Sequence, residues 1–213
     1  MDKQKITTLF LDIGGVLLSN GWGLDFREKA ADEFHLDKAE MEERHSIMFV
    51  TYEEGRITFD EYLNRVIFYK KRDFSYGQFK DFMFSLTTPY EEMIAFIKKI
   101  KGQYGLKIIA VSNEVRELNT YRINTFKLNE IFDFFISSCY VHLRKPDPAI
   151  FYLSLDGAQV PLNEIVFIDD VQLFVDVAKD MGITGIHHTD YLSTSKALTD
   201  LGFIIKQENI ENA

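Results

Sequence analysis

Four groups of residues in this chain carry side chains able to handle an anionic substrate. Asp12 follows the run Thr7-Thr8-Leu9-Phe10-Leu11 and precedes Gly14-Gly15. Ser112-Asn113 follows Leu106-Lys107-Ile108-Ile109-Ala110-Val111, and Asp169-Asp170 follows Glu164-Ile165-Val166-Phe167-Ile168. Between them lies Lys145, within Arg144-Lys145-Pro146-Asp147-Pro148. A carboxylate can attack an electrophilic centre or bind a hard cation, and paired carboxylates can add oxygen ligands to that cation. A serine hydroxyl and a lysine ammonium can engage the oxygens of an anion.

The elements that must position these groups are legible beside them. Short apolar runs of Leu, Ile, Val, Phe and Thr, closed by glycine or polar turn residues, read as buried strands. Each chemical group then sits at a strand's carboxyl end, where open α/β sheets bind ligands. From Pro89 onward the spacing predicts helix over 90–101, strand over 106–111, helix over 114–126 and strand over 132–137. Helix over 149–155, strand over 165–168, helix over 173–181 and strand over 184–187 follow. Strands alternating with helices imply right-handed crossovers and a mostly parallel sheet covered on both faces. Phe203-Ile204-Ile205 is expected to add an edge strand, with 207–213 frayed.

Residues 20–88 contain no convincing strand. Phe26, Ala30 and Phe34, then Met41, His45, Met48 and Phe49, then Phe59, Tyr62, Leu63, Val66 and Ile67 recur at helical spacing. Thr58 with Glu61 three residues later reads as a capping box, and Phe79, Phe82, Met83 and Leu86 suggest a further helix. Most aromatic residues of this block, from Trp22 to Phe84, are expected to form the core of a helical bundle, with a minority lining a pocket.

Composition narrows the function classes. The chain has 213 residues, 46% of them hydrophobic and 27% charged, enough for a sizeable core with one inserted unit. A net charge of −9 would repel a nucleic-acid backbone, so no nucleic-acid partner is expected. One cysteine, Cys139, permits no internal disulfide and suits a reducing, cytoplasmic setting. The apolar stretch near the start is too short, and too soon interrupted by Asp12, to read as a signal peptide or membrane span.

In their order along the chain, the four groups resemble the motifs of the haloacid dehalogenase superfamily, whose members are mostly phosphatases. Motif one is similar to Asp12-Ile13-Gly14-Gly15-Val16, motif two to Ser112-Asn113, motif three to Lys145 in its proline-punctuated loop, and motif four to Asp169-Asp170. The resemblance spans nearly the whole chain. It implies an α/β fold: a Rossmann-like parallel sheet flanked by helices, formed by 1–19 and 89–213, with a helical cap inserted as 20–88.

The same resemblance implies roles. Asp12 would attack phosphorus and form an aspartyl-phosphate, and Lys145 would offset the negative charge of the carboxylates and contact substrate. Mg²⁺ would be held by Asp12, the carbonyl of Gly14 and Asp170, with Asp169 acting directly or through water. Gly14, Gly15, Ser112 and Asn113 would line the phosphate. The expected activity is Mg²⁺-dependent hydrolysis of a small phosphorylated metabolite, a sugar phosphate being the leading candidate.

One position departs from the family pattern. Gly14 stands where a second aspartate acts as general acid and then general base, assistance typically worth roughly 10²–10⁴-fold. Three explanations stay open: a leaving group that departs with little protonation, a proton from another residue or the substrate, or vestigial turnover. Two other functions also stay open, a metal-independent haloacid dehalogenase and a non-catalytic protein that binds phosphorylated ligands.

Other candidates have simpler readings. His45 and His142 titrate near neutrality, yet His45 lies on an apolar helical face and reads as packing or cap–core contact. His187 and His188 are adjacent in a strand and point to opposite faces, which prevents them from gripping one ion easily. Asp25, Glu53, Glu54 and Arg56 fall in the cap, where one could reach the substrate. Phe174 offers no ligand or orienting hydrogen bond, and Cys139 reads as an unreactive small residue after a strand.

Overall fold

A computed structural model describes residues 5–205. Five parallel strands form the sheet: β1 (Thr8–Leu11), β2 (Lys107–Ser112), β3 (Phe134–Ser137), β4 (Ile165–Asp169) and β5 (Thr184–His187), in the order β3-β2-β1-β4-β5. β1 is central, pairing Leu11 with Ala110 of β2 and with Ile168 of β4. This register brings the carboxyl ends of β1, β2 and β4 side by side.

The strands read as continuous apolar runs because both faces are covered. Alternate residues enter opposite cores: Leu9, Leu11, Ile108, Ala110, Val166 and Ile168 face one side, Phe10, Ile109, Val111, Ile165 and Phe167 the other. The first core is closed by α5 (Glu91–Tyr104) and α10 (Tyr191–Asp200), and the second by α8 (Pro148–Ala158) and α9 (Gln172–Asp180). α6 (Arg116–Thr125) follows β2, and the short α7 (Ser138–Val141) follows β3 directly.

Between β1 and α5 the chain forms four helices, α1 (Leu24–Glu33), α2 (Lys38–Glu53), α3 (Phe59–Val66) and α4 (Tyr76–Ser85). Their starts are chemically specified. Asp37 accepts from the Glu40 amide at the head of α2, while Thr58 with Glu61 and Ser75 with Gln78 form reciprocal capping boxes. Replacing Thr58 by Ala is expected to cost about 1 kcal/mol, lowering Tm by about 2–4 °C in a calorimetric scan with no loss of the folded baseline.

The chain leaves and re-enters the α/β unit through paired extended segments. The Ser19 amide donates to the Thr88 carbonyl at 2.8 Å, and the Tyr90 amide to the Leu17 carbonyl at 2.8 Å. The helical block does not close its apolar core alone: Val115 and Leu118, from the segment after β2, complete the cluster of Trp22, Phe26, Tyr52, Tyr62 and Phe79. Its underside therefore rests on α6.

Three expectations change. Phe203-Ile204-Ile205 forms no strand. The Tyr104 hydroxyl takes the Ile204 amide and also donates to its carbonyl, which satisfies that backbone without a ladder, and Phe203 packs edge-on against Tyr104. Residues 207–213 lie outside the described residues. α10 was not anticipated, because Thr194 and Leu198 are its only fully buried side chains and the periodic signal is weak. The helix expected from 114 begins at Arg116 without a side-chain cap, and Glu114 stays in the loop between strand and helix. Among the described residues no helix is long and apolar enough to cross a membrane.

Candidate active site

The strand ends converge around Lys145. This side chain is wholly buried, with Nζ 3.0 Å from Asp12 Oδ1 and donating to Asp169 Oδ2 at 2.5 Å. Burial alone would lower its pKa; the charges of Asp12 and Asp169 outweigh that and raise it. The lysine is thus a fixed cation. Its backbone is clasped by Asn113, whose side chain donates to the Lys145 carbonyl and accepts from the Lys145 amide at 2.9 and 2.8 Å. Phe174 and Phe167 set their rings 5.2 and 5.6 Å from Nζ, so Phe174 shields the ammonium rather than binding a ligand.

Asp12, Asp169 and Asp170 each present a carboxylate oxygen within 4.8 Å of the others. Asp169 is wholly buried and has both oxygens engaged, one by Lys145 and one by the Val171 amide at 2.8 Å. Burial pushes its pKa up to about 7 against the pull of Lys145. Asp170 is also raised, by burial and then by the charge of Asp12, and its side chain accepts from Asn20 at 3.3 Å. One ammonium against three carboxylates leaves an excess of negative charge. Asp12 and Asp170 have oxygen capacity to spare, a donor set suited to a hard divalent cation.

The two glycines after Asp12 differ in kind. Gly15 has φ +74°, and a Cβ built there would meet Asp170 Oδ2 at 2.1 Å, so only glycine allows this approach. A Cβ at Gly14 would meet nothing nearer than Asn20 Oδ1 at 3.3 Å. Gly15→Ala is therefore expected to displace Asp170 and lower Tm by several degrees, while Gly14→Ala changes Tm by less than about 2 °C. Equal melting of the two variants would contradict this.

Asp12 forms the floor of a cavity of about 370 Å³ between α/β unit and cap. Gly14, Asn113, Lys145 and Asp170 also line it, whereas Gly15, Ser112 and Asp169 do not. Ser112 Oγ, at the end of β2, is buried without a hydrogen-bond partner, as is Asp12 Oδ1 by hydrogen-bond geometry despite its ion pair with Lys145. An orphaned buried polar atom at a cavity, as Asp12 Oδ1 is, is suited to an incoming ligand.

The cap contributes Trp22, Arg27, His45, Phe49 and Glu53 to the wall. The end of α2 is docked on the α/β unit: Ser138 Oγ donates to the Glu53 carbonyl at 2.7 Å, and Arg144 holds Glu53 Oε2 at 2.6 Å. Of the cap charges singled out by sequence, Glu53 alone reaches the cavity; Glu54 pairs with Arg56 at 2.7 Å. His45 is buried, its Nδ1 2.7 Å from the Tyr62 hydroxyl, which itself accepts from Trp22 at 2.8 Å. Burial lowers the His45 pKa to about 4, so the ring that shares this hydrogen bond with Tyr62 is neutral.

His142 lies outside the cavity, its ring on the Glu54 carbonyl. His187 contacts the Asp170 carbonyl, and His188 pairs with Thr194. Burial raises the Cys139 thiol to about 12, consistent with an unreactive residue. Sequence reasoning did not select Glu114, Arg122 or Arg144 as wall residues. The available signal was position, Glu114 being two residues past Ser112 and Arg144 one before Lys145.

Comparison with known proteins agrees with this arrangement. Residues 12–187 match the family model of haloacid dehalogenase-like hydrolases. Bifunctional epoxide hydrolase 2 of Sus scrofa is 41% identical over 75 residues, a match covering 35% of this chain and 13% of that protein. Flavin mononucleotide hydrolase 1 of Arabidopsis thaliana is 30% identical over 202 residues, covering 94% of this chain and 79% of that protein. Among solved structures, a HAD family enzyme from Bacteroides thetaiotaomicron, in complex with magnesium and inorganic phosphate, aligns with a TM-score of 0.72. It is 22% identical over 89% of this chain and 98% of its own, a likeness of fold. With a match that runs from the carboxylate after β1 to the end of β5, the chain belongs to the haloacid dehalogenase-like hydrolases.

Proposed function

We propose that this hydrolase is a divalent-cation-dependent phosphatase acting on a small phosphorylated metabolite through a covalent intermediate on Asp12. The observation that carries the reading is the cluster of three carboxylates, Asp12, Asp169 and half-buried Asp170, with the Lys145 ammonium paired to the first two, beside a cavity. The relative from Arabidopsis thaliana named for flavin mononucleotide hydrolysis, and the similarly folded enzyme bound to magnesium and phosphate, support the same reading. A metal-independent dehalogenase would leave the triad's excess negative charge without a counter-ion.

In this mechanism Asp12 and Asp170, with the Gly14 carbonyl, would hold Mg²⁺, which when bound supplies charge neutralisation for phosphate and carboxylate together. Lys145 orients Asp12 through their ion pair, and Asp169 fixes Lys145. Ser112 donates to a phosphate oxygen. Asp12 then attacks phosphorus in line with the leaving group, and water later cleaves the aspartyl-phosphate. The leaving group lies under the cap against Trp22, His45 and Phe49, whose flat faces suit a ring such as that of a sugar. The cap's underside excludes bulk water.

The test is phosphate release from a panel of sugar phosphates, mononucleotides and acyl phosphates, with Mg²⁺ and with a chelator. Release that requires the cation supports the reading. Halide release from 2-haloacids without metal, or no turnover of any compound, would overturn it.

A further inference from the structure

The family's second aspartate is absent at Gly14, yet a carboxyl stands in the same sector of the cavity. A Cβ at Gly14 would lie 3.8 Å from Arg122 Nη1, and that same nitrogen donates to Glu114 Oε1 at 2.6 Å. Glu114 and Arg122 are both buried, and both line the cavity with Asp12. The loop carrying Glu114 is tied down by Ser138, whose Oγ accepts from the Glu114 amide at 2.9 Å while its one proton goes to the Glu53 carbonyl. Arg122 is anchored in turn, donating to the Ser19 carbonyl at 2.5 Å.

Among the described residues Oε1 of Glu114 is engaged by Arg122 and no hydrogen bond reaches Oε2, while the residue lines the cavity. The geometry points to Glu114 as the catalytic acid and base that replaces the missing aspartate, an inference that rests on the phosphatase reading. In the first step Asp12 forms its bond to phosphorus, the bond from phosphorus to the leaving oxygen breaks, and that oxygen takes the Glu114 proton. In the second, Glu114 takes a proton from water as the water oxygen bonds phosphorus and the bond to Asp12 breaks, which restores the acid.

The charged groups facing Glu114 are Arg122 from α6, Asp12 from the end of β1 and Glu53 from α2. Burial, with Asp12 and Glu53, raises its pKa against the opposing pull of Arg122, in the direction a proton donor at neutral pH requires. Glu53 is the rival carboxyl. Two nitrogens of Arg144 hold its Oε2, and it stands on the cap rather than beside Gly14.

The experiment compares kcat/KM for 4-nitrophenyl phosphate and phenyl phosphate, which share a ring and differ in leaving-group basicity. This parameter reports the step in which the leaving group departs. Glu114→Gln is expected to lower it about 10²-fold for phenyl phosphate and less than about threefold for 4-nitrophenyl phosphate. Adding Gly14→Asp to that variant is expected to restore phenyl phosphate turnover at least tenfold, with the new carboxyl facing Arg122.

If Glu114→Gln fails to fold, Glu114→Asp, which keeps the charge opposite Arg122, is expected to show the same selective loss at about tenfold. An equal fall on both substrates, no fall, or the selective loss in Glu53→Gln instead would overturn the assignment while leaving the phosphatase reading intact. Wild-type protein inert to both compounds with Mg²⁺ would overturn both.

Discussion

Asp12→Asn is expected to reduce Mg²⁺-dependent phosphate release by more than about 10³-fold on every substrate the wild type accepts, because an amide oxygen cannot displace a leaving group from phosphorus. The substitution is nearly isosteric at a site with 7% exposure, and it removes one of three mutually repelling carboxylates. Lys145 keeps its bond to Asp169. Tm should therefore stay within about 3 °C of wild type, and the loss would be one of chemistry rather than folding. Single-turnover assays with radiolabelled substrate check the point directly, since wild type transfers label to protein and the variant does not. Residual turnover within tenfold of wild type would remove Asp12 from the covalent role.

The second large effect falls on stability. Among the described residues Lys145 is the cation within salt-bridge distance of Asp12 and Asp169, so Lys145→Met leaves buried Asp169 without that counter-charge. Breaking a buried ion pair from one side costs about 3–5 kcal/mol, which in a chain of this length lowers Tm by on the order of 10 °C. Adding Asp169→Asn should recover more than half of that loss, since the penalty comes from the stranded charge and not from the missing contact. Activity should not recover, because Asp12 would still lack its orienting cation. A calorimetric comparison of the three proteins decides the matter; additive destabilisation in the double variant would contradict the pairing.

Much of this was legible because of how buried parallel strands are written. Each strand is covered on both faces and so appears as an unbroken apolar run, and each run ends in the residue that the sheet presents at its carboxyl edge. That is why Asp12, Ser112 and Asp169-Asp170 could be located before any coordinates, and why Thr58 with Glu61 marked the head of α3. α10 escaped because it buries too little to impose a period, and the Phe203 segment because a side chain, not a strand, satisfies its backbone.

The sequence by itself determined the alternation of elements, the residues at the strand ends and the absence of an acid at Gly14. It could not determine which side chains from distant segments share the cavity. Glu53 enters because the end of α2 docks on Ser138 and Arg144, and Glu114 because three residues of loop separate β2 from the start of α6. Both belong to ion pairs, and such pairs leave no periodic mark: Glu114 meets Arg122 eight residues on, along α6, and Glu53 meets Arg144 91 residues away where the end of α2 docks on the α/β unit. Only the tertiary structure decided that Glu53, Glu114 and Arg122 line one cavity with Asp12.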